Sequence, residues 1–479
     1  MKSDQTNVTQ RLGMRFKILS DDQIREVQAR SLEVLDRTGV SIGSARARSL
    51  LANAGCRIRG EIVKFPPGLV EWALDAAPSH FWLYDRTGTR ALDVGSHKTY
   101  FGLGPTLLYM IDPVTGKPRK FVKAGTERAA RLTDALPNID WVMGLGTISD
   151  CDPDHADRHE FDALIRNTTK PTIIWAGSTD GVRDIIKMAE AVAGGERELR
   201  EHPFISFFFA PTSPLAQDET SVEKLLLTTS EGIPTVYAPA PQGGASAPVT
   251  LAGELVSTHA ENLASVTIAQ VSREGAPIVI GGVIGTMDMR TAQLAYGAPE
   301  MQLMLAAYND IAQYYGIPTW GTAGCSDAKV IDQQAAIEAT QSILYSLLSG
   351  INLVHDVGYI GSGTVGSLEL ITMVDEIIGM AKYLTRTVRV NEATLALDTI
   401  DRVRSNGQFL TSPHTLEHFR EQLWTPTLMD RQSYETWRET GSKTMRDRVA
   451  DKLKGILKDH DPTPLPRETL RQLQDILPE

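Results

Sequence analysis

Between about residues 98 and 385, eight short β-rich runs alternate with stretches of helical period. That alternation marks βα units on a parallel sheet. Its count, and its span of roughly 290 residues, are those of a (β/α)8 barrel. The sequence therefore predicts an α/β TIM barrel over residues 96–390. An N-terminal α+β appendage over residues 1–95 and a C-terminal helical appendage over residues 391–479 complete the expected chain. A doubly wound open sheet would show the same alternation, and the eight pairs favour the barrel.

The predicted strands begin at Lys98, Ile139, Pro171, Pro203, Pro234, Pro277, Pro318 and Ile351. Five open on proline, which lacks the N–H of a ladder and is tolerated at a strand's first residue. Helical patterns follow from Glu127, His159, Val182, Ser221, Leu251, Met301, Ala335 and Leu368. YMIDPVTGKPRKFV, from Tyr109, predicts a hairpin interrupting the first connection. Ahead of the barrel, LSDDQIREVQARSLEVLDRTG predicts a helix with Ser20 as N-cap and Gly39 as its stop. Strand-like pieces around IRGEIVKF follow it. After the barrel the chain is polar and helical, ending in the linker DPTPLP and the amphipathic RETLRQLQDIL.

Composition narrows the function. A formal net charge of −11 excludes a protein that tracks nucleic-acid phosphates. Cys56, Cys151 and Cys325 are too few for a disulfide framework, so a reducing, cytoplasmic setting is expected. The start lacks an apolar signal segment, and no apolar run approaches membrane-spanning length, so no membrane association is expected.

Barrel active sites lie at the C-terminal ends of the strands. Rings recur there: Tyr100 and Phe101, Trp175, Phe208 and Phe209, Tyr237, Trp320 and Tyr359. Such a mouth, poor in charge, suits a tertiary or quaternary ammonium group held by cation–π contacts; alternatively these rings are layered core. His355, ending the last strand, is the candidate catalytic residue. It could act as a general base, as a partner for a substrate carboxylate, or as a ligand to a metal or corrinoid. Gly361, Gly363 and Gly366 form a literal GxGxxG between strand and helix, a candidate cofactor edge or a plain tight turn. HTLEH, at His414 to His418, fits a zinc-protease pattern, and His155 and His159 stand four apart. Short matches of this kind arise by chance, and no resident metal is expected. A zinc shared by Cys151, Cys325 and His355 lacks supporting spacing and stays a minority alternative.

Four segments carry a family resemblance: LSDDQIREVQARSLEVLDRTGVSI, YFGLGPTLLYMIDPVTGKPRK, WGTAGCSDAKVIDQQAA and HTLEHFREQLWTPTLMDRQSYETW. Together they resemble the trimethylamine methyltransferase (MttB) family, from about Leu19 to Trp437. The resemblance implies a (β/α)8 barrel that passes a methyl group to the cobalt of a corrinoid on a separate protein, and a homo-oligomer. Trimethylamine members carry pyrrolysine in the stretch after Trp320; here that stretch reads Gly321, Thr322, Ala323, Gly324, Cys325. The chain thus resembles the pyrrolysine-lacking branch, associated with quaternary amines such as glycine betaine. The expected reaction converts glycine betaine to dimethylglycine and a methylated corrinoid. His355 would sit near the cobalt or the substrate carboxylate, Trp175, Phe208, Phe209, Tyr237, Trp320 and Tyr359 would form the cage, and Tyr100 and Phe101 its rim. The alternatives are proline betaine, carnitine or another N-methylated substrate, a quaternary-amine binder without turnover, and a zinc-dependent methyltransferase.

Overall fold

The computed structural model describes residues 14–112 and 115–478. Seven of the eight predicted runs form one parallel sheet of a TIM-like α/β fold. In spatial order its strands are Tyr100–Phe101, Leu353–His355, Thr319–Thr322, Ile278–Gly281, Thr235–Tyr237, Ile205–Phe209 and Thr172–Ile174. The run from Ile139 makes only isolated parallel bridges, Trp141 to Gly102 and Gly146 to Leu107 on one side and Val142 to Thr172 on the other. It stays short because Leu145, at φ 71°, turns the backbone out of the extended region.

The strand-opening prolines are used economically. Each lacks a donor, yet the carbonyls of Pro171, Pro203, Pro234, Pro277 and Pro318 all accept a backbone N–H from another segment. Helices follow the runs as predicted: Lys123–Ala135, Ala156–Asn167, Thr179–Ala193, Glu219–Glu231, Leu251–Ser272, Pro299–Tyr314, Gln333–Ser349 and Leu368–Leu384. Ser178, Asp218, Asp332 and Ser367 cap four of them through their side chains.

The expected leading helix, Asp21–Arg37, is present with Ser20 as N-cap, in a capping box with Gln23. It packs against Leu251–Ser272, where His259 Nε2 meets Gln28 Oε1 at 2.6 Å and Ser31 Oγ donates to the Val256 carbonyl. That cover explains why Leu251–Ser272 is buried around most of its circumference despite Glu254, His259, Glu261 and Asn262. Arg57–Arg59 and Ile62–Lys64 form the expected strand pieces. At the other end, Glu376 accepts the backbone N–H groups of Thr427, Leu428 and Met429, tying the late segment to Leu368–Leu384. No helix is long and apolar enough to cross a membrane among the described residues.

The loops at the strands' C-terminal ends build a further sheet. The predicted hairpin, Tyr109–Ile111 with Pro118–Lys120, pairs in parallel with Val365–Gly366 from the loop after the last strand. Beneath lies a crowded contact: a Cβ on Gly102 would come 2.3 Å from the Trp141 ring. We expect Gly102→Ala to destabilise the fold by about 1–3 kcal/mol through overpacking. Chemical denaturation would measure that loss, and the near-ultraviolet dichroism of the tryptophans should change with it.

Candidate active site

Strand register sorts the predicted rings. Phe207 and Phe209 stack at 5.7 Å on the face covered by helices, and Lys224 Nζ of Glu219–Glu231 lies 4.8 Å from the Phe209 ring centre. Tyr237, registered with Phe209, faces the same way. Phe101, registered with Val354, is on the side opposite His355. These three do not join the mouth. Tyr100 shares the His355 side but lies at the opposite strand end, where its hydroxyl accepts from the Asp93 N–H at 3.2 Å.

Phe208, Trp320 and His355 do come together. Phe208 stacks on Trp320 at 5.3 Å, and Trp320 lies 4.4 Å from the His355 ring centre. Phe208 keeps partial exposure although its two strand neighbours are buried, so accessible space reaches the helix-free face. Trp141 completes the group, 5.3 Å from Trp320. The sequence reading missed it because it precedes the strand end; the available signal was its place opposite the small Gly102.

His355 Nδ1 lies 2.7 Å from the Gly321 carbonyl. A carbonyl only accepts, so Nδ1 carries the hydrogen and Nε2 presents a lone pair. Burial pushes the imidazole down to about 3, against the opposing effect of the Gly321 bond, and the ring is neutral at physiological pH. Nε2 is 3.3 Å from Asp356 Oδ2, which has no aligned hydrogen bond. Burial pushes the Asp356 carboxyl up to about 8, although the hydroxyls of Tyr296 and Tyr359 bond to it. Asp356 also sits at φ 69°, a strained backbone for a residue bearing a Cβ.

A second acid, Glu160 of Ala156–Asn167, is fully buried and is not among the residues that strand-end position singles out, since it lies on a helix. Its Oε2 accepts from Trp175 Nε1 at 3.0 Å, and burial pushes it up to about 8. Close approach requires glycine at two places: a Cβ on Gly104 would lie 2.0 Å from Asp356 Oδ1, and one on Gly144 2.2 Å from Glu160 Oε1. Tyr359 stands within electrostatic reach of both acids. Its hydroxyl accepts from the Thr106 N–H at 2.9 Å and donates to the Leu145 carbonyl at 3.3 Å. It is thus a hydrogen-bonding post and not an open cage wall.

The glycine run forms a hairpin instead of a cradle at a helix terminus. Tyr359–Ile360 pairs antiparallel with Val365–Gly366, and Gly361 donates its N–H to the Ala328 carbonyl. Gly363 packs under the Tyr296 ring. Cys151, Cys325 and His355 do not converge within ligand reach of a common ion. Among the described residues the only such trio is the exposed Glu198, Glu201 and His202. The His414 and His418 rings lie 4.4 Å apart, tilted by 55°, on the helix Pro413–Gln422, which buries no residue.

Comparison with known proteins places this geometry. Residues 1–478 match the family described as Trimethylamine methyltransferase (MTTB). The chain belongs to that family. One MTTB relative, "Trimethylamine methyltransferase MttB" of Desulfitobacterium hafniense (strain DSM 10664 / DCB-2), is 32% identical over 99% of this chain and 96% of its own. "Glycine betaine methyltransferase" of Desulfitobacterium hafniense (strain Y51) is 28% identical, with 96% of each chain covered. Among solved structures, the Methanosarcina barkeri monomethylamine methyltransferase MtmB superposes with a TM-score of 0.54 at 13% identity. That match covers 93% of this chain and 88% of that one, and supports the fold alone. The MTTB chain is therefore a member of a methyltransferase family.

The two raised carboxyls predict a pH signature. The unfolded chain releases a glutamate proton near pH 4.5, whereas folded Glu160 holds it to about 8. Glu160 thus lowers stability progressively as pH rises through that window. Glu160→Gln removes this loss: its stability relative to the unsubstituted protein should grow by up to about 1.4 kcal/mol per pH unit between pH 5 and 8. Denaturant titrations at four pH values would measure the slope, and parallel curves would contradict a neutral Glu160.

Proposed function

We propose that the protein transfers a methyl group from glycine betaine to the cobalt of a corrinoid carried by a separate protein, leaving dimethylglycine. One observation carries this assignment: Phe208, Trp320 and Trp141 gather on the helix-free face of the sheet beside a histidine held neutral. Ring faces attract a methylated cation that offers no hydrogen-bond donor, at roughly 0.5–2 kcal/mol per well-placed ring. Trp175, partly exposed and anchored by Glu160, supplies a further ring. The glycine betaine relative supports the substrate. So does the stretch Gly321 to Cys325, which holds only ordinary residues.

The reduced corrinoid supplies the nucleophilic electron pair; a carbon–cobalt bond forms as the carbon–nitrogen bond breaks, and the amine leaves neutral with that bond's electrons. The leaving group of a quaternary amine needs no proton, so the protein's part is to position and to exclude water. His355 suits that part: with its ring fixed by Gly321 and Nε2 unprotonated, it presents a lone pair without bringing charge.

The barrel is proposed to be closed, with Trp141–Val142 as its eighth stave between Gly102 and Thr172. The domain division at residues 95 and 390 is retained with it. A homo-oligomer fits the helices Leu397–Val403 and Pro413–Gln422, which bury no apolar residue of their own and leave Leu397, Leu416 and Leu423 exposed around them.

Mixing the purified protein with reduced cobalamin and glycine betaine should produce the methylcobalamin spectrum. Proline betaine and carnitine serve as the comparison substrates. Phe208→Ala and Trp320→Phe should each weaken betaine binding by about 2- to 30-fold in calorimetry. No methylation by any quaternary amine would sink the assignment, and binding without turnover would recast the protein as a receptor.

A further inference from the structure

Glu160 and Asp356 are enclosed acids with no cation paired to them among the described residues. Around Glu160 stand Trp175, the backbone of Gly144, Tyr359 and, on its own helix, Asp157. Around Asp356 stand His355, Tyr296, Tyr359 and Cys325. None of these neighbours is positively charged: His355 is neutral, and burial keeps the Tyr296 and Tyr359 phenols and the Cys325 thiol protonated. Glu160 Oε1, Asp356 Oδ2 and Trp320 Nε1 are buried with no hydrogen-bond partner. Buried polar atoms without partners are costly and uncommon. Three of them around one set of strand ends mark a place that a ligand completes.

We propose that Glu160 and Asp356 form the counter-charge of the substrate's ammonium group, releasing about one proton between them as the cation enters. This rests on the quaternary-amine function above and adds to it the groups that balance the charge. Cation–π contacts alone leave a buried positive charge uncompensated, and a carboxylate nearby supplies the compensation. Without a ligand the same carboxylate would be the uncompensated charge, so the pair stays protonated until the cation arrives. Both acids lie within electrostatic reach of Tyr359, and one cation calls for one counter-charge, so a second ionisation beside the first is opposed. Tyr296 and Tyr359 stand beside Asp356 and favour its ionised form against the effect of burial.

The direction with pH follows. The cation binds the ionised form, so its affinity rises with pH while the free pair is protonated. It levels off once the pair is ionised, above about pH 8. The probe is tetramethylammonium, which carries the charge without a carboxylate, with glycine betaine alongside. Calorimetry at pH 7 in two buffers of different ionisation enthalpy counts the protons. We expect release of close to one proton per tetramethylammonium bound, and affinity rising up to tenfold per pH unit from 6 to 8. Glu160→Gln and Asp356→Asn should each remove at least half of that release and weaken tetramethylammonium binding more than tenfold at pH 8. The proton count on the unsubstituted protein needs no variant to fold. Tetramethylammonium binding with no proton released overturns the counter-charge and leaves the quaternary-amine function intact. Betaine binding without proton release, at least tenfold tighter than tetramethylammonium, also overturns it, because the acids would then be donors to the carboxylate. No binding of either compound overturns both.

Discussion

Two carboxyl groups are shut away from water without a positive partner, and much of the site is arranged around that fact. A buried unpaired charge is severely penalised, so such groups hold their protons instead. Holding neutral acids still takes space and hydrogen bonds. Gly104 and Gly144 give the space, since any side chain there would collide with Asp356 or Glu160. Tyr296, Tyr359 and Trp175 give the hydrogen bonds. The left-handed backbone at Asp356 turns its side chain back toward the strand ends, a local strain that the surrounding packing sustains. His355 belongs to the same economy. A protonated imidazole at 3.3 Å would ionise Asp356, and burial prevents that protonation.

In the proposed reaction the aromatic group and the acids divide the work of holding a methylated cation. Ring faces are apolar and can be buried, so Trp141 and Trp320 are built into the core itself, with Trp141 Nε1 donating to the Tyr100 carbonyl and Trp320 Nε1 left without a partner. Phe208 marks the boundary between that core and accessible space. A site assembled this way is nearly uncharged when empty, which suits a reaction that begins with a cation and ends with a neutral amine. It also suits water exclusion, because few groups in it attract water strongly.

The sequence carried the scaffold better than the site. Proline before a β-rich run, helical period after it and a count of eight depend on local chain chemistry, and the strands and helices follow them closely. The Ser20 cap and the Tyr109 hairpin were legible for the same reason. Ring positions were legible only as positions along a strand. Which face Phe208, Phe209 and Tyr237 take depends on the absolute phase of a two-residue alternation, and a run such as Phe207, Phe208, Phe209 carries no polar mark to fix it. Glu160 was hidden more deeply. Its helix presents Asp157, Arg158, Glu160 and Asp162 as an ordinary polar side, yet all four are buried by tertiary packing. The GxGxxG run misled because the same glycines that admit a phosphate also make a tight hairpin, and only the pairing partner distinguishes the two.

The small sheet above the strand ends joins Tyr109–Ile111 to Val365–Gly366, segments from the first and last connections of the repeating core. Its consequence is temporal. The hairpin side of the rim is synthesised early and meets its second partner strand only after some 250 further residues have been made. Tyr359, which stands beside Asp356, arrives with the same late segment. A nascent chain can therefore lay down strands and helices in order while its reactive face stays open. The pairing that completes the rim joins the two ends of the repeating core, and it can form only after the last strand has been made.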